Sequence, residues 1–299
     1  MAGNAVMLGL VNRLQHYLRE KTLFDGRERV SLSPFTLFFN PSVTNPEEGI
    51  AIPDESAGYT PADISRVCAA FVERGRVPCV QYLDAFAPGL TIHLQLGNYP
   101  LPPTPRTPPS GSLPVYREGE EDPEVKHHTS VAPFEETVRL PVMYCTAGML
   151  IHPPDVPGLA VTMAGSDAPL EEIKVGWNVN SLGFDPQSVL ATDVIAEAFR
   201  KTLVTSRSFV ARLDGEPAAA GRFSEIRDGL TELVGITTLP NFRQQGIAAV
   251  LTASITRAAF DSGVEVAFLI AGNDTARRVY ERIGFRTIAH LLEYVQKSS

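Results

Sequence analysis

Residues 235–247 of this 299-residue chain have the sequence GITTLPNFRQQGI. The residues before Pro240 favour an extended strand, and proline ends that strand because it has no N–H group to donate. From Ile247 onward the run IAAVL has the apolar periodicity of a helix. The segment therefore predicts a strand, a tight turn and a helix that starts directly after the turn.

The start of this predicted helix is suited to bind an anion. The first N–H groups of a helix have no partner inside the helix, and the helix dipole is positive at that end. Gly246 has no side chain to block close approach, and Ala248 is also small. The chain has neither the GxxxxGK[ST] nor the GxGxxG pattern of common nucleotide sites. We therefore expect a phosphate group of another kind at this turn.

The residues at the turn carry a family resemblance. The pattern Arg243-x-x-Gly246-x-Ala248 resembles the Q/R-x-x-G-x-G/A signature of the GNAT N-acetyltransferase superfamily. In that family, backbone N–H groups at this turn hold the pyrophosphate of acetyl-CoA. The resemblance implies an α/β (α+β) fold in which a mixed, twisted sheet is flanked by helices.

The sequence after the turn follows the order of the C-terminal half of a GNAT domain. A buried strand is predicted at 264–270, and Asn273 is expected to cap a helix that Gly284 ends. A last strand is predicted at 286–294.

The sequence before the turn predicts two hairpins in succession. Asp214-Gly215 and Asp228-Gly229 are the turn dipeptides. They separate predicted strands at 208–213, 217–224 and 231–239. The resemblance thus covers roughly residues 157–299.

The N-terminal half repeats this order of elements in a weaker form. A strand that starts at Val77 is followed by Gly97 at the same spacing that separates Val264 from Gly284. A helix at 61–74 corresponds to a helix at 247–262 in the C-terminal half. Strands at 35–40 and 49–52 would complete a small sheet.

The repeat differs at the place of the anion-binding turn. Residues 54–60 lack the glycine signature and include Asp54 and Glu55, whose charges would repel a pyrophosphate. We therefore predict two GNAT-like domains. The domain at 1–150 is partial or degenerate and does not bind CoA, and the domain at 151–299 is catalytic and provides one active site per chain.

A stretch rich in proline and acidic residues occupies 100–130. Such a composition cannot bury a core, so it is an interdomain linker or a surface loop within the first domain. We favour the loop, because residues 139–145 predict a strand that returns to the sheet of the first domain. The histidines at 127 and 128 fall in this stretch and are interpreted as a solvated pair.

The resemblance implies how the C-terminal half holds acetyl-CoA. The strand end is expected to pair with the pantetheine arm and to present one N–H to the thioester oxygen; its residues are Ile236, Thr237 and Thr238. The turn is expected to bind the pyrophosphate chiefly through main-chain N–H groups; its residues are Arg243, Gln244, Gln245, Gly246, Ile247 and Ala248. The side chains of Arg243 and Gln245 are equally explained as solvated turn residues.

Tyr280 is the candidate acid. Helical spacing places it on one face with Ala276, Val279 and Ile283. The resemblance implies that its hydroxyl donates a proton to the CoA thiolate, and the alternative is a core aromatic residue. Asn273 is implied to contact the pantetheine or the adenine side of the cofactor, although an N-cap is expected there in any case.

Glu232 is the candidate base. It lies eleven residues before Arg243, as a glutamate does in the histone-acetylating branch of the family. Strand alternation would place it on one face with Val234, Ile236 and Thr238. It is equally explained as a solvated strand residue paired with Arg222, and many relatives use another base or water.

Two aromatic residues are candidates for the acceptor site. Trp177 and Phe184 fall on or next to a helix that, by resemblance, forms one wall of that site. A position in the core is the alternative for Trp177.

Composition and charge narrow the class of protein. The chain is 44% hydrophobic with a formal net charge of -8, which argues against nonspecific binding to nucleic acid or to an anionic membrane. Cys68, Cys79 and Cys145 form no CxxC pattern, so neither a disulfide framework nor a zinc site is indicated. We expect a reducing, cytoplasmic setting, no metal and no transmembrane helix.

The N-terminal residues predict an amphipathic docking helix. Apolar residues recur there at helical spacing, at Met7, Leu10, Val11, Leu14, Tyr17 and Leu18. Attachment to a membrane surface is the minor alternative.

The resemblance implies an acetyl-CoA-dependent N-acyltransferase that moves an acetyl group to a primary amine by direct attack on the thioester. The alternative from another class is a noncatalytic acyl-CoA sensor or partner-binding module. Transfer of a longer acyl chain is a further alternative. The identity of the amine acceptor and the oligomeric state stay open.

Overall fold

The computed structural model describes residues 2–23, 26–42, 45, 48–97, 99–100 and 130–297. The predicted loop at 100–130 and the histidine pair therefore lie almost entirely outside the described residues. The first elements in chain order are α1 (Ala2–Leu23), β1 (Glu28–Leu32), β2 (Phe35–Phe39), β3 (Ile50–Pro53), α2 (Pro61–Val72), β4 (Cys79–Leu83), α3 (Leu90–Leu96), β5 (Tyr99–Pro100), β6 (Ser130–Val131) and β7 (Phe134–Thr146). They are followed by β8 (Leu159–Ala164), α4 (Leu170–Phe184), α5 (Asp193–Thr202), β9 (Arg207–Leu213), β10 (Glu216–Phe223), β11 (Leu230–Thr238), α6 (Ile247–Asp261), β12 (Val266–Ile270), α7 (Asp274–Arg282) and β13 (Arg286–Gln296).

The chain divides into two compact units. The larger unit comprises Met1–Tyr17 and Leu140–Leu291, and the smaller unit comprises Leu18–Arg139 and Leu292–Ser299. These bounds differ from the predicted division at residue 150. The assignment of residues 1–150 and 151–299 as two domains stays a prediction.

The larger unit contains a mixed sheet in the order β7-β12-β11-β10-β9-β8. Strands β11 and β12 are parallel, and α6 connects them; the other neighbouring pairs are antiparallel. Both predicted hairpin turns form. Asp214 and Gly215 have φ values of +50° and +87°, and Asp228 and Gly229 have +48° and +72°. Positive φ at both central residues matches the twist of the flanking strands.

Helices cover both faces of this sheet. Leu251 and Ile255 of α6 are fully buried in a core cluster with Leu233 of β11 and Leu269 of β12. Burial of each such side chain contributes about 1.5–3 kcal/mol to folding. Helix α4 packs on the opposite face, where Gly176 lies next to Ser208 of β9. The predicted architecture of a mixed sheet flanked by helices is confirmed.

The smaller unit repeats the central part of this order. Its strands lie in the order β1-β2-β3-β4, with β2 and β3 antiparallel, β3 and β4 parallel, and α2 connecting the parallel pair. Helix α2 begins with a capping box, in which the Thr60 hydroxyl accepts from the Asp63 N–H and the Asp63 carboxylate accepts from the Thr60 N–H. The predicted helix at 61–74 and the predicted strands at 35–40 and 49–52 are confirmed within a few residues.

The acidic segment before α2 is held by internal contacts. The Asp54 carboxylate accepts hydrogen bonds from Arg19 at 2.8 Å and from the Thr36 hydroxyl at 2.7 Å. This segment thus presents a paired carboxylate where the corresponding segment of the larger unit presents a glycine turn.

The predicted strand at 139–145 forms as part of β7, which belongs to the smaller unit as far as Arg139 and to the larger unit from Leu140 onward. The prediction that this strand returns to the sheet of the first domain is wrong for residues 142–146. Residues 142–146 pair with β12 in the larger unit, from Val142 opposite Ile270 to Thr146 opposite Val266. The hydrophobic pattern predicts the strand correctly, whereas the choice of neighbour depends on contacts distant in sequence.

The three cysteines are free and buried. Burial raises the pKa of the Cys68 and Cys79 thiols to about 12 and that of Cys145 to about 11. In the described ranges, no helix is both long and apolar enough to cross a membrane. The same ranges contain no cluster of three or more His, Cys, Asp or Glu side chains placed to hold a metal ion.

Helix α1 buries three of the six apolar positions that its spacing indicates, whereas Met7, Leu10 and Leu18 are partly exposed. Val11, Leu14 and Tyr17 are each at most 3% exposed. The Tyr17 ring packs edge-on against Phe268 of β12 at 5.1 Å between centroids.

Candidate functional site

Strands β11 and β12 part in the middle of the larger unit's sheet. Their parallel pairing covers only Leu230, Thr231 and Glu232 of β11. Beyond these residues β11 continues to Thr238 without a partner on β12, while β12 stays paired with β7 as far as Ile270. An unpaired strand edge offers main-chain N–H and C=O groups to an extended ligand.

A β-bulge interrupts β11 at this edge. Ala220 of β10 lies opposite Thr237, but Arg222 lies opposite Val234, so two residues of β11 face one residue of β10. One of the two is Gly235, whose φ of +64° is readily adopted only by glycine. A bulge redirects the peptide groups of its strand at a fixed point.

The bulge also changes which way the following side chains point. Val234 and Thr237 are directed towards α4, whereas Leu233 and Ile236 pack with the core beneath α6. The prediction that Glu232 and Val234 share a face with Ile236 and Thr238 is therefore wrong. The extra residue of the bulge shifts the alternation of side chains between the two faces of the sheet by one position. The face that carries Glu232 therefore continues only as far as Val234 before the shift.

Helix α4 approaches the bulge through two glycines and one asparagine. A Cβ atom built on Gly183 would lie 2.3 Å from the Thr237 hydroxyl oxygen, and one on Gly176 would lie 3.3 Å from Oγ of Ser208. Between them in the helix, the Asn180 side-chain amide donates a hydrogen bond to the Gly235 carbonyl. The spacing of these residues along one helical stripe, at 176, 180 and 183, is the sequence signal that could have indicated this contact.

The predicted turn follows the end of β11. A 3₁₀ turn at Pro240–Phe242 leads into Gln244, with φ of +65°, and Gly246, with φ of +81°. In the described part of the chain, the N–H groups of residues 244–248 donate to no protein acceptor. Successive unsatisfied N–H groups at a helix N-terminus form a concave anion site.

The side chains of this turn have mostly structural contacts. Arg243 donates from Nε to the Thr238 carbonyl and from Nη2 to the Gly183 carbonyl, both at 3.0 Å. Gln245 donates to the Asn241 carbonyl at 3.4 Å. Arg243 therefore joins the end of β11 to the end of α4, and the anion site consists of main-chain groups.

Tyr280 lies on the inner face of α7. It is 8% exposed, and burial raises the pKa of its hydroxyl to about 12. Ala276, Val279 and Ile283 share its core cluster, as predicted from their helical spacing. The Tyr280 hydroxyl has no hydrogen-bond partner among the described residues. A neutral phenol with no protein partner is chemically suited to donate a proton.

Asn273 caps α7 as predicted. Its side-chain oxygen accepts from the Ala276 N–H at 2.9 Å. The amide NH₂ and the second lone pair of the oxygen are therefore left for a contact with a ligand.

Glu232 is 4% exposed. The Ser224 N–H and hydroxyl both donate to its main-chain carbonyl, at 2.8 and 3.0 Å. The raised pKa of Tyr17 has burial as its main cause and the charge of Glu232 as the second, which places this carboxylate near α1. The prediction of a solvated strand residue is thus wrong, because α1 covers this part of the sheet.

A cavity of about 240 Å³ lies beside the bulge. Its wall is formed by α4, α5 and strands β9 to β11; the lining residues are Gly176, Trp177, Asn180, Phe199, Ser208, Ala220, Gly221, Arg222, Val234 and Gly235. Of the two aromatic residues predicted for the acceptor site, Trp177 lines this cavity. The other, Phe184, is 66% exposed and does not line the cavity. Glu232, the candidate base, is not among the lining residues either.

The cavity contains an aromatic pair and one cation. The Trp177 and Phe199 rings meet edge to face at 5.2 Å, and the Arg222 guanidinium lies 5.5 Å from the centroid of the Phe199 ring. Phe199 and Arg222 were not predicted as site residues, apart from the proposed pairing of Arg222 with Glu232. No local motif marks them, because α5 and β10 meet only in the folded chain.

Comparisons with known proteins agree with this arrangement. Residues 182–285 match the family described as Acetyltransferase (GNAT) family. A structure of a GCN5-related N-acetyltransferase from Kribbella flavida is similar, at 21% identity and a TM-score of 0.68, over 97% of this chain and 96% of its own. A GCN5-related N-acetyltransferase from Sphaerobacter thermophilus is similar at 14% identity and a TM-score of 0.51, over 93% of this chain and 84% of its own.

A tandem GNAT protein from the clavulanic acid biosynthesis pathway is also similar, at 10% identity and a TM-score of 0.50, over 89% of this chain and 80% of its own. A comparison with curated protein sequences gave no match. The structural likenesses establish that the fold is shared over nearly the whole chain, and the family match covers the bulged strand, the turn and all of α7. Residues 182–285 thus form a domain that matches the acetyltransferase (GNAT) family.

Proposed function

We propose that this protein is an acetyl-CoA-dependent N-acetyltransferase that transfers an acetyl group to a primary amine. One observation carries the proposal: the edge of β11 that β12 leaves unpaired leads from the bulge at Gly235 directly into the turn at 244–248, whose N–H groups have no acceptor among the described residues. An extended arm and a pyrophosphate are the two parts of CoA that these two features would bind.

The main chain of the larger unit fits the cosubstrate. The N–H groups of residues 244–248 would hold the pyrophosphate, and residues 236–238 would pair with the pantetheine arm. Gly246 has no side chain at the point of closest approach. The Asn273 NH₂ group remains a candidate contact, whereas the Arg243 side chain contributes by holding the turn against β11 and α4.

The reaction would be direct transfer. The amine nitrogen bonds to the acetyl carbonyl carbon, the carbon–sulfur bond breaks, and the thiolate receives a proton from Tyr280. The amine loses its proton to Glu232 or to water. The Gly235 carbonyl accepts a hydrogen bond from Asn180. In the trans peptide between Gly235 and Ile236, the carbonyl and the N–H point in opposite directions, so the Ile236 N–H points away from Asn180. We assign this N–H as the donor to the developing oxyanion.

The cavity beside the bulge favours an enzyme over a noncatalytic sensor. A sensor needs a site for the acyl-CoA, whereas a transferase also needs a place for the acceptor next to the thioester. The cavity of about 240 Å³ at Val234 and Gly235 lies beside the bulge and would provide that place. It is smaller than the ~300–1,000 Å³ of sites for drug-sized ligands, which suits a small amine. The buried, free cysteines are compatible with a cytoplasmic setting.

Calorimetry and turnover together test this proposal. Titration of acetyl-CoA into the full chain should give a saturable isotherm with about one site per chain, and addition of primary amines should release free CoA. Binding without CoA release on a broad amine panel would support the sensor instead. Absence of binding would overturn both. Faster turnover with a longer acyl-CoA than with acetyl-CoA would show that the transferred group is a longer acyl chain.

A further inference from the structure

The wall of the acceptor cavity carries an unexpected charge. The chain as a whole is acidic, with a formal net charge of -8, and an acidic site would suit a cationic amine. Among the described residues that line the cavity, however, Arg222 is the one with a formal charge, and none is a carboxylate. The formal charge among the lining residues is therefore positive, although the chain as a whole is acidic.

The position of Arg222 is fixed by its strand and by an aromatic neighbour. Its place opposite Val234 puts it one residue from the bulge at Gly235. Its guanidinium lies 5.5 Å from the Phe199 ring centroid, a contact that restricts the long side chain to the cavity side of the sheet. A preorganised guanidinium is the preferred partner of carboxylates, because its N–H groups match the two oxygens of one carboxylate.

The rest of the wall is suited to an apolar group. Trp177 and Phe199 form an edge-to-face pair, and Val234 and Ala220 are apolar. Ser208 and Asn180 add polar atoms, but the Asn180 amide is already bonded to Gly235. A small acceptor that combines an anionic group, an apolar group and an amine would thus meet a matching surface for each part.

We infer that the acceptor is a free amino acid or a close analogue, whose carboxylate is bound by Arg222 while its side chain packs against Trp177 and Phe199. This inference rests on the proposed transferase activity and names the substrate class of the same site. The amino group, one carbon from the carboxylate, is then directed to the bulge at Gly235. Arg222 acts as a specificity-determining residue and takes no part in the proton transfers.

Matched substrates test the inference without any variant. CoA release is measured with L-phenylalanine, L-phenylalaninamide and phenethylamine, and with L-leucine, leucinamide and isoamylamine. The amides retain an α-amino group that loses its proton more readily than that of the amino acid, so reactivity alone would favour them. We expect kcat/KM for the amino acids to exceed that for the amides and simple amines by about 10- to 100-fold, as one charge-assisted pair provides.

Variants of Arg222 test whether this side chain causes the preference for amino acids. In Arg222→Gln, kcat/KM for the amino acids should fall about 10- to 100-fold more than that for the simple amines, while KM for acetyl-CoA stays within about twofold. Arg222→Lys should retain part of the preference, because it keeps the charge but not the paired geometry. The matched control is Arg212→Gln, which removes a strand arginine that pairs with Glu172 at 2.6 Å outside the cavity.

The outcomes separate this inference from the proposed function. Equal turnover of amino acids and their decarboxylated amines, or an equal loss for both in Arg222→Gln, would overturn the inference and leave the transferase intact. No turnover of any amine would overturn the proposed function itself. If Arg222→Gln does not fold, the comparison of matched substrates with the wild-type chain still decides the question.

Discussion

The side-chain amide of Asn180 in α4 donates a hydrogen bond to the main-chain carbonyl of Gly235 in the bulge of β11. This contact joins a helix to the one peptide of the strand whose orientation departs from regular pairing. Because the peptide is planar, holding its carbonyl also fixes the direction of the Ile236 N–H. Asn180 is thus a positioning residue for the proposed oxyanion donor.

Asn180→Ala should lower kcat for acetyl transfer by about tenfold or more, because the oxyanion donor loses its fixed orientation. The free energy of unfolding should fall by about 1 kcal/mol, the typical contribution of one hydrogen bond. Steady-state CoA release and urea unfolding measure the two effects.

Asn178→Ala is the control for this change. Asn178 lies on the same helix and accepts from the Ala191 N–H at 2.7 Å, so its loss also removes one hydrogen bond. Asn178 does not line the cavity. A similar fall in kcat for both variants would show that the Asn180 effect reflects the stability of α4 rather than the orientation of the bulge.

Gly246→Glu should weaken acetyl-CoA binding by at least tenfold in calorimetry. A carboxylate at the start of α6 would repel the pyrophosphate and occupy the space in front of the unsatisfied N–H groups. The substitution also introduces a side chain at a φ of +81°.

Gly215→Glu controls for that backbone effect. Gly215 has a φ of +87°, is exposed in a hairpin turn of the same unit, and has no atom within 4 Å of its ideal Cβ position. It therefore matches Gly246 in strain and charge but not in location. If both variants bound acetyl-CoA equally well, the turn at 244–248 would not be the pyrophosphate site.

Tyr280→Phe should lower kcat by about tenfold or more and leave the Kd of acetyl-CoA within about twofold, because only the proton donor is removed. Burial raises the pKa of the Tyr280 hydroxyl to about 12, so the group stays protonated across the ordinary assay range. Unchanged turnover would exclude Tyr280 as the acid.

The same pKa predicts a difference in stability at alkaline pH. A tyrosine in the unfolded chain loses its proton near pH 10, whereas folded Tyr280 does so near pH 12. The unfolded state therefore binds fewer protons between these values, and the free energy of unfolding falls as pH rises through this window. This part of the alkaline loss should be absent in Tyr280→Phe.

The elements around Tyr280 and Gly246 illustrate what sequence can predict. The hairpin turns at Asp214 and Asp228, the start of α6 and the N-cap at Asn273 all follow from local conformational preferences of a few neighbouring residues. Each was confirmed because the relevant contacts lie within a few positions along the chain.

The bulge and the cavity depend on contacts that no short segment specifies. Gly235 adopts its positive φ only in the register that β10 imposes, so the face assigned to Ile236 and Thr238 was wrong. Arg222 and Phe199 are brought together by the packing of α5 on the sheet. Arg243 has the residue type of the family signature, yet its side chain holds two carbonyls, a role that depends on where α4 ends.

Glu232→Gln tests the base. If the carboxylate accepts the amine proton, kcat at neutral pH should fall by about 100-fold, within the range of general-base effects. The deficit should narrow as pH rises, because a growing fraction of the amine is already deprotonated. A pH–rate profile from neutral to about pH 10 for both chains gives the comparison.

A loss of activity in Glu232→Gln that does not change with pH would contradict a role of Glu232 as the base. Glu232 is buried near α1 and does not line the cavity, so a proton from an amine in the cavity would reach it through water. Such a constant deficit would show that Glu232 serves to stabilise the packing of α1 on the sheet. Water alone would then be the base.

Steady-state release of CoA from acetyl-CoA by the full chain, measured with and without a primary amine, tests most directly whether this protein is an N-acetyltransferase. We expect CoA release to depend on the amine and to saturate in both substrates, and the acetylated amine to be detected by mass spectrometry. This activity should be lost in Gly246→Glu but not in Gly215→Glu. CoA release that does not depend on any amine, or that is unaffected by Gly246→Glu, would contradict this expectation.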